Sequence, residues 1–207
     1  MQDALKTHSS ITEKFRKPAS FAMAAMLLVL LIITQPANFG AVQYEILEQF
    51  GYILVFVAVL GRIWCTLYIA GRKNKQLCTT GPYEVCRNPL YLFSFIGLIG
   101  VCFAAANLML AVIAASAYLL YYRGVIGGEE RRLAAIFGTA FDHYLASTPK
   151  FWPRLKLPRN DDILMVDSRI FTRSLMEVVW FLFAINFIEI IEYLKLGHVI
   201  NGIKLPL

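Results

Sequence analysis

Charge is scarce in this chain of 207 residues: Asp, Glu, Lys and Arg make up 16% of it, against 58% hydrophobic residues. A water-soluble fold could hardly bury so much apolar side chain, so an ordinary soluble domain is excluded. Histidine is rare as well. His8, His143 and His198 lie far apart in sequence and make no metal-ligand spacing. The four cysteines, Cys65, Cys78, Cys86 and Cys102, include no C-x-x-C pair, so neither a disulfide framework nor a zinc site is indicated. Cys65 and Cys102 sit inside apolar blocks, where cysteine behaves as a small hydrophobe. The chain also lacks a basic stripe with interleaved aromatics standing free of the apolar blocks, so its net charge of +6 does not point to nucleic acid. The first apolar run shows no convincing small-residue cleavage site, and a retained span is expected there.

What the chain has instead is long apolar blocks. After a polar, basic arm over 1–17, the blocks predict spans over about 19–35, 50–70, 90–105, 108–125 and 175–194. Pro18 and Pro36 bracket the first. A short break near Asn107 folds the third and fourth into a helical hairpin, and Gly127-Gly128 is expected to end the fourth. Residues 129–147 then read as an amphipathic helix, with Leu133, Ile136, Phe137, Phe141, Tyr144 and Leu145 on one face. The mixture Lys150, Trp152, Pro153, Arg154, Lys156 and Arg159 suits the headgroup zone. Basic residues follow the second and fourth spans and precede the first and fifth, which predicts a cytoplasmic amino terminus.

Between the second and third spans lies the segment TGPYEVCRNPLY, residues 80–91. Gly81-Pro82 forces a turn, and Asn88-Pro89 keeps Asn88 out of helical conformation. Tyr83, Arg87 and Asn88 are thus held on a short, stiff connector that can offer backbone groups to a ligand. The plainer reading is a re-entry loop whose Arg87 meets lipid phosphate. The predicted orientation puts Glu129-Glu130 on the same side. At the start of a helix the pair is favoured by the dipole; alternatively, one carboxylate anchors a cationic ligand. Arg62 lies inside the second span, where an unpaired charge is costly, and either snorkels to the interface or lines a polar cavity. Arg123 is a second candidate to bind the carboxylate or phosphate of an acceptor. Glu189 and Glu192 share a face of the last span, with Lys195 placed to pair with Glu192.

From about residue 60 to 153 the chain resembles the isoprenylcysteine carboxyl methyltransferase family, which is related to the phospholipid N-methyltransferases. The resemblance rests on QLCTTGPYEVCRNPLY, EERRL and FGTAFDHYLASTPKFWP, in the family's order and spacing. Phe141 replaces a usual tyrosine, Tyr144 matches the next, and Asn88 stands where histidine is usual. Asparagine can keep a neutral hydrogen bond but cannot act as a titrating base. The Leu77-Cys78 pair departs from the usual Leu-Val.

The resemblance implies S-adenosylmethionine as cofactor. Lys75, Gln76, Leu77 and Cys78 would line it through backbone, and Tyr83 would pack near the adenosine. Asn88, Pro89, Leu90 and Tyr91 would close over it, and Glu129 would bind its polar end. The expectation is therefore an all-α, polytopic integral membrane protein of about five transmembrane helices with a cofactor pocket facing the cytoplasm, as in a bacterial inner membrane or its equivalent. It divides into an arm with first spans (1–59), a methyltransferase-like core (60–157) and a polar loop with a final span (158–207). Its expected partners are membrane lipids and a lipid-like or small apolar methyl acceptor, with no metal and no nucleic acid. A membrane reductase of the sterol or steroid type using NADPH, and a non-enzymatic membrane scaffold, are the other readings left open.

Overall fold

The computed structural model describes residues 25, 28–36, 42–72, 75–159, 161, 163–197, 199 and 203–205. Its elements are β1 (Thr34–Pro36), α1 (Val42–Ile69), α2 (Pro82–Val85), α3 (Pro89–Ala104), α4 (Leu108–Phe137), α5 (Thr139–Ser147), α6 (Ser168–Leu196) and β2 (Ile203–Leu205). Residues 28–33 are helical as well, while most of the expected first span lies outside the described residues. The architecture is helical apart from β1 and β2, which pair in parallel with Thr34 opposite Ile203.

Among the described residues, three helices are long and apolar enough to cross a membrane: α1, α4 and α6. At 28, 30 and 29 residues, each reaches about 42–45 Å, beyond the ~30 Å of a hydrocarbon core. Their outer faces fit lipid, with Leu120 77% and Trp180 72% exposed. The 16-residue α3 is apolar but shorter, at about 24 Å. Of the five expected spans, the second to fifth are met by α1, the shorter α3, α4 and α6, and most of the first lies outside the described residues.

Close packing of α1 on α3 depends on missing side chains. A Cβ on Gly51 would stand 2.2 Å from the Ala104 nitrogen, and one on Gly100 would stand 2.8 Å from the Val55 nitrogen. Without a strong hydrophobic force between helices in lipid, such backbone approach is a main source of helix association. At the far end of α3, Ala106 turns the chain at φ 43°. Asn107 then caps α4 by accepting from the Leu110 N–H at 2.9 Å. The hairpin break near Asn107 is where the sequence puts it.

The end of α4 differs from expectation. The helix runs unbroken through Gly127-Gly128 to Phe137, and the chain turns at Gly138, where φ is 52°. Glycine in a helix interior costs only about 1 kcal/mol against alanine, so it does not stop a helix that packing sustains. The expected amphipathic helix over 129–147 is therefore divided between the last turns of α4 and a separate α5. Glu129 and Glu130 lie inside a long helix, and a dipole at a helix start does not explain them.

At the end of the bundle near β1, the Tyr44 hydroxyl donates to Glu192, and the Tyr52 hydroxyl lies within hydrogen-bond distance of both Glu48 and Glu189, to one of which it donates its proton. Lys195 does not pair with Glu192; its ammonium donates to the Leu31 and Thr34 carbonyls, at 2.9 and 2.6 Å. Those carbonyls belong to a chain end leaving its helix, where acceptors lack intrahelical donors.

Replacing Gly51 by Val should therefore push α1 off α3 at backbone atoms that cannot yield. Thermal unfolding in detergent should show a loss of about 1–3 kcal/mol, whereas Gly124→Ala, with open space around it, should be near neutral.

Candidate active site

The connector from α1 to α3 is built on a glycine that its neighbours require. Gly81 has φ 58°, and a Cβ there would meet the Tyr68 ring at 2.4 Å. The turn opens the short α2, with Pro82 in its first turn. Asn88 then caps the start of α3 without a side-chain cap bond, and Pro89 begins that helix.

A strap over 149–159 crosses the connector and is bonded to it by backbone. The Arg87 N–H donates to the Pro149 carbonyl at 2.8 Å, the Arg154 N–H to Val85 at 3.1 Å and the Gly81 N–H to Arg159 at 2.8 Å. Glu84 reinforces the strap. With its side chain only 6% exposed, it accepts from Lys156 Nζ at 2.7 Å and Arg159 Nε at 2.9 Å. It also accepts from the Arg159 backbone N–H at 2.6 Å. That backbone bond, followed by the Lys156 ammonium, holds its carboxyl down at about 2. Sequence reasoning missed Glu84, since its partners lie 72 and 75 residues away.

The motif segment and the Glu pair meet. Arg87 Nε donates to Glu130 Oε1 at 2.9 Å, with side chains 11% and 15% exposed. Arg87 also donates to the Leu145 carbonyl at 3.1 Å and to that of Thr148. Lys150 Nζ adds a contact to Glu130 Oε2 at 3.1 Å. The Arg87 side chain is thus held inside the protein by α4, by α5 and by Thr148 after it, and is not a lipid-phosphate contact. Asn88 is buried, and its amide donates to the Lys150 carbonyl at 2.9 Å and weakly to Glu130 at 3.4 Å.

Tyr91 Oη donates to Glu129 Oε2 at 2.9 Å, joining α3 to α4. The Tyr91 ring lies 5.1 Å from Tyr122, which stacks on Tyr118 at 4.0 Å. Tyr118 Oη in turn donates to the Tyr91 carbonyl at 2.8 Å. Tyr91 thus links the Glu129 carboxylate to a run of three tyrosine rings, Tyr91, Tyr122 and Tyr118, between α3 and α4.

The other residues singled out in sequence fall around this centre. Tyr83 is buried against Cys65, Tyr68 and Cys78, with Leu90 packed on the same cluster. Its carbonyl accepts from Tyr144 Oη at 2.6 Å. Pro89 is fully buried. Leu77 and Cys78 lie outside any helix or strand, and Lys75 and Gln76 are exposed beside them. Burial pushes the Cys78 and Cys86 thiols up to about 11, so neither is a nucleophile at neutral pH. Arg62 stays within the bundle, donating to Ser94 Oγ and pairing with Glu177 Oε2 at 3.3 Å. Arg123 is exposed on α4 and does not join the cluster.

Residues 46–140 match the phospholipid methyltransferase family. The chain is 41% identical over 148 residues to the nickel-cobalt-cadmium resistance protein NccN of Alcaligenes xylosoxydans xylosoxydans, an overlap covering 70% of this chain and 69% of that protein. The chain belongs to the phospholipid methyltransferase family. Identity to the cobalt-zinc-cadmium resistance protein CzcN of Cupriavidus metallidurans is also 41%, over 137 residues, 66% of this chain and 63% of that one, slightly under two thirds of its length. No solved structure matches. The resemblance to the isoprenylcysteine carboxyl methyltransferases is met at the level of this broader methyltransferase family.

The strap's hold on the connector has a pH signature. The Glu84 carboxyl is lower in the folded protein, about 2, than its ordinary 4.5, so its contribution is complete above 4.5 and is lost as pH falls through 2. Thermal unfolding of wild type and Glu84→Gln in detergent should differ by a constant gap above pH 5, closing between about pH 4.5 and 2.

Proposed function

We propose that this chain is an S-adenosylmethionine-dependent methyltransferase of the membrane, acting on a lipid-like or small apolar acceptor at the end of the bundle where connector and Glu129 meet. The Tyr91–Glu129 hydrogen bond carries the reading: it joins the motif segment to a carboxylate 38 residues later, within the matched region. The donor set suits that cofactor. A carboxylate complements an ammonium, aromatic faces attract a cationic sulfonium, and the backbone at Leu77 and Cys78, outside any helix or strand, can bond a nucleoside edge.

In this reading Glu129 holds the methionine ammonium and Tyr91 fixes the carboxylate's direction. Lys75, Gln76, Leu77 and Cys78 line the nucleoside through backbone. Tyr83, Pro89 and Leu90 form the packed floor beneath, and Asn88 pins the strap as a lid over the connector. When bound, the cofactor supplies an activated methyl group on sulfur, so the chain has mainly to align the acceptor and exclude water. A carboxylate acceptor is ionised at neutral pH and needs no base, which agrees with asparagine at position 88 and with protonated thiols nearby. Arg62, one helical turn from Tyr91 by way of Ser94, is placed to bind an anionic acceptor in exchange for the exposed Glu177; Arg123 guides such acceptors from the surface.

The basic residues after α1 and at the start of α6 favour the cytoplasm for this end. The relatives' names associate them with resistance to divalent metal ions, and we assign this chain the same setting, in which methylation modifies a membrane component. The family match favours methyl transfer over nicotinamide-dependent reduction.

Binding of radiolabelled S-adenosylmethionine to the purified protein in nanodiscs tests the assignment. Wild type should bind it and not NADPH. Glu129→Ala should reduce affinity by 100-fold or so, the loss expected of a charge-assisted contact of about 2–3 kcal/mol. Tyr91→Phe should reduce it by about tenfold. Unchanged affinity in Glu129→Ala would overturn the site.

A further inference from the structure

The strap carries side chains that its role in bracing the connector does not use. Leu155 and Leu157 are 105% and 93% exposed, and Trp152 is 63% exposed. Exposed beside them are Arg154, Lys156 and Arg159. No acidic residue occurs between Asp142 and Asp161. Among the described residues, the ion pairs of the four cations Lys150, Arg154, Lys156 and Arg159 go to two carboxylates, Glu84 and Glu130.

The position of this surface relative to the lipid follows from the long helices. The Asp167 N–H donates to the Ala70 carbonyl at 3.4 Å, and Arg72 Nη1 meets Asp161 Oδ2 at 2.9 Å. The end of α1 and the beginning of α6 are therefore level. The strap and the residues after it lie at that level, where both helices leave the hydrocarbon. Bare leucine and tryptophan interleaved with cations that outnumber their carboxylate partners complement acyl chains below and phosphates above.

We propose that residues 149–159 dock onto the anionic headgroup layer of this leaflet, with Trp152, Leu155 and Leu157 inserted and the basic residues on lipid phosphate, and that docking steadies the connector through Glu84. Lys156 and Arg159 touch Glu84 from the strap, while Glu84 stands on α2, between the Gly81 turn and Arg87. Lipid that orders the strap therefore orders the connector, and a leaflet poor in anionic lipid leaves it looser. This coupling stands independently of the methyl-transfer reading.

The test attaches an environment-sensitive NBD label at Leu157→Cys in the full-length protein; the four native cysteines are all buried, which directs labelling to the new thiol. In nanodiscs containing phosphatidylglycerol, label emission should shift to the blue and be quenched by doxyl groups on lipid. Pure phosphatidylcholine, whose headgroups carry no net charge, should reduce the inserted population by about fivefold for each cation that loses an anionic headgroup. Hydrogen exchange of the amides over 80–88 should be slower in the anionic discs, and Glu84→Gln should abolish that difference. Water-like emission in both discs would overturn docking. Equal quenching in both would overturn its electrostatic basis, and equal exchange would overturn the coupling.

Discussion

The ion pair between Arg87 and Glu130 is the contact on which the rest of the site depends. The partners lie 43 residues apart, on the connector and on α4, and both side chains are nearly buried. Taking two charges out of water is costly, and their attraction repays this only when the remaining donors and acceptors are satisfied. Here they are: Arg87 spends further N–H groups on the carbonyls of Leu145 and Thr148, and Glu130 receives Lys150. One guanidinium thereby fixes the connector to α4 and to the end of α5, and Glu130 carries the hold on to Lys150 of the strap. Tyr91 can reach Glu129 because this knot sets the register of α3 against α4.

Around the knot the site is constructed in layers. Small residues let α1 and α3 approach, which brings Arg62 to Ser94 and the Tyr68 ring over Gly81. The strap covers the connector by backbone bonds, and Glu84 secures it with two cations. None of these contacts performs chemistry. They hold a carboxylate and three tyrosine rings where a long helix emerges from its apolar stretch, as a reaction that relies on alignment requires.

Much of this was legible in the sequence because it was written in local terms. Apolar blocks gave the long helices, Asn107 gave the hairpin, and the turn chemistry of Gly81-Pro82 and Asn88-Pro89 gave the connector. The charge pattern put the connector and the Glu pair at one end of the bundle, where the structure brings them into contact. What failed did so for physical reasons. Gly127-Gly128 reads as a stop, but a glycine's modest helix cost is outweighed when the helix packs on both sides of it. Glu84 drew no reading from the sequence because its partners are remote in the chain and reach it only once the strap has folded back. Arg62 stayed open between snorkelling and a polar cavity because Glu177, its partner, belongs to a helix whose placement no spacing rule supplies.

A double-mutant cycle on Arg87→Met and Glu130→Gln, read by unfolding in detergent, tests the central claim most directly. The account predicts that each single substitution is strongly destabilising, by about 3 kcal/mol or more. The double variant should then be more stable than the sum of the two losses implies, with a coupling of about 1–3 kcal/mol. Losses that add to within about 0.5 kcal/mol would show that the two residues do not hold the connector to α4, and would contradict the account.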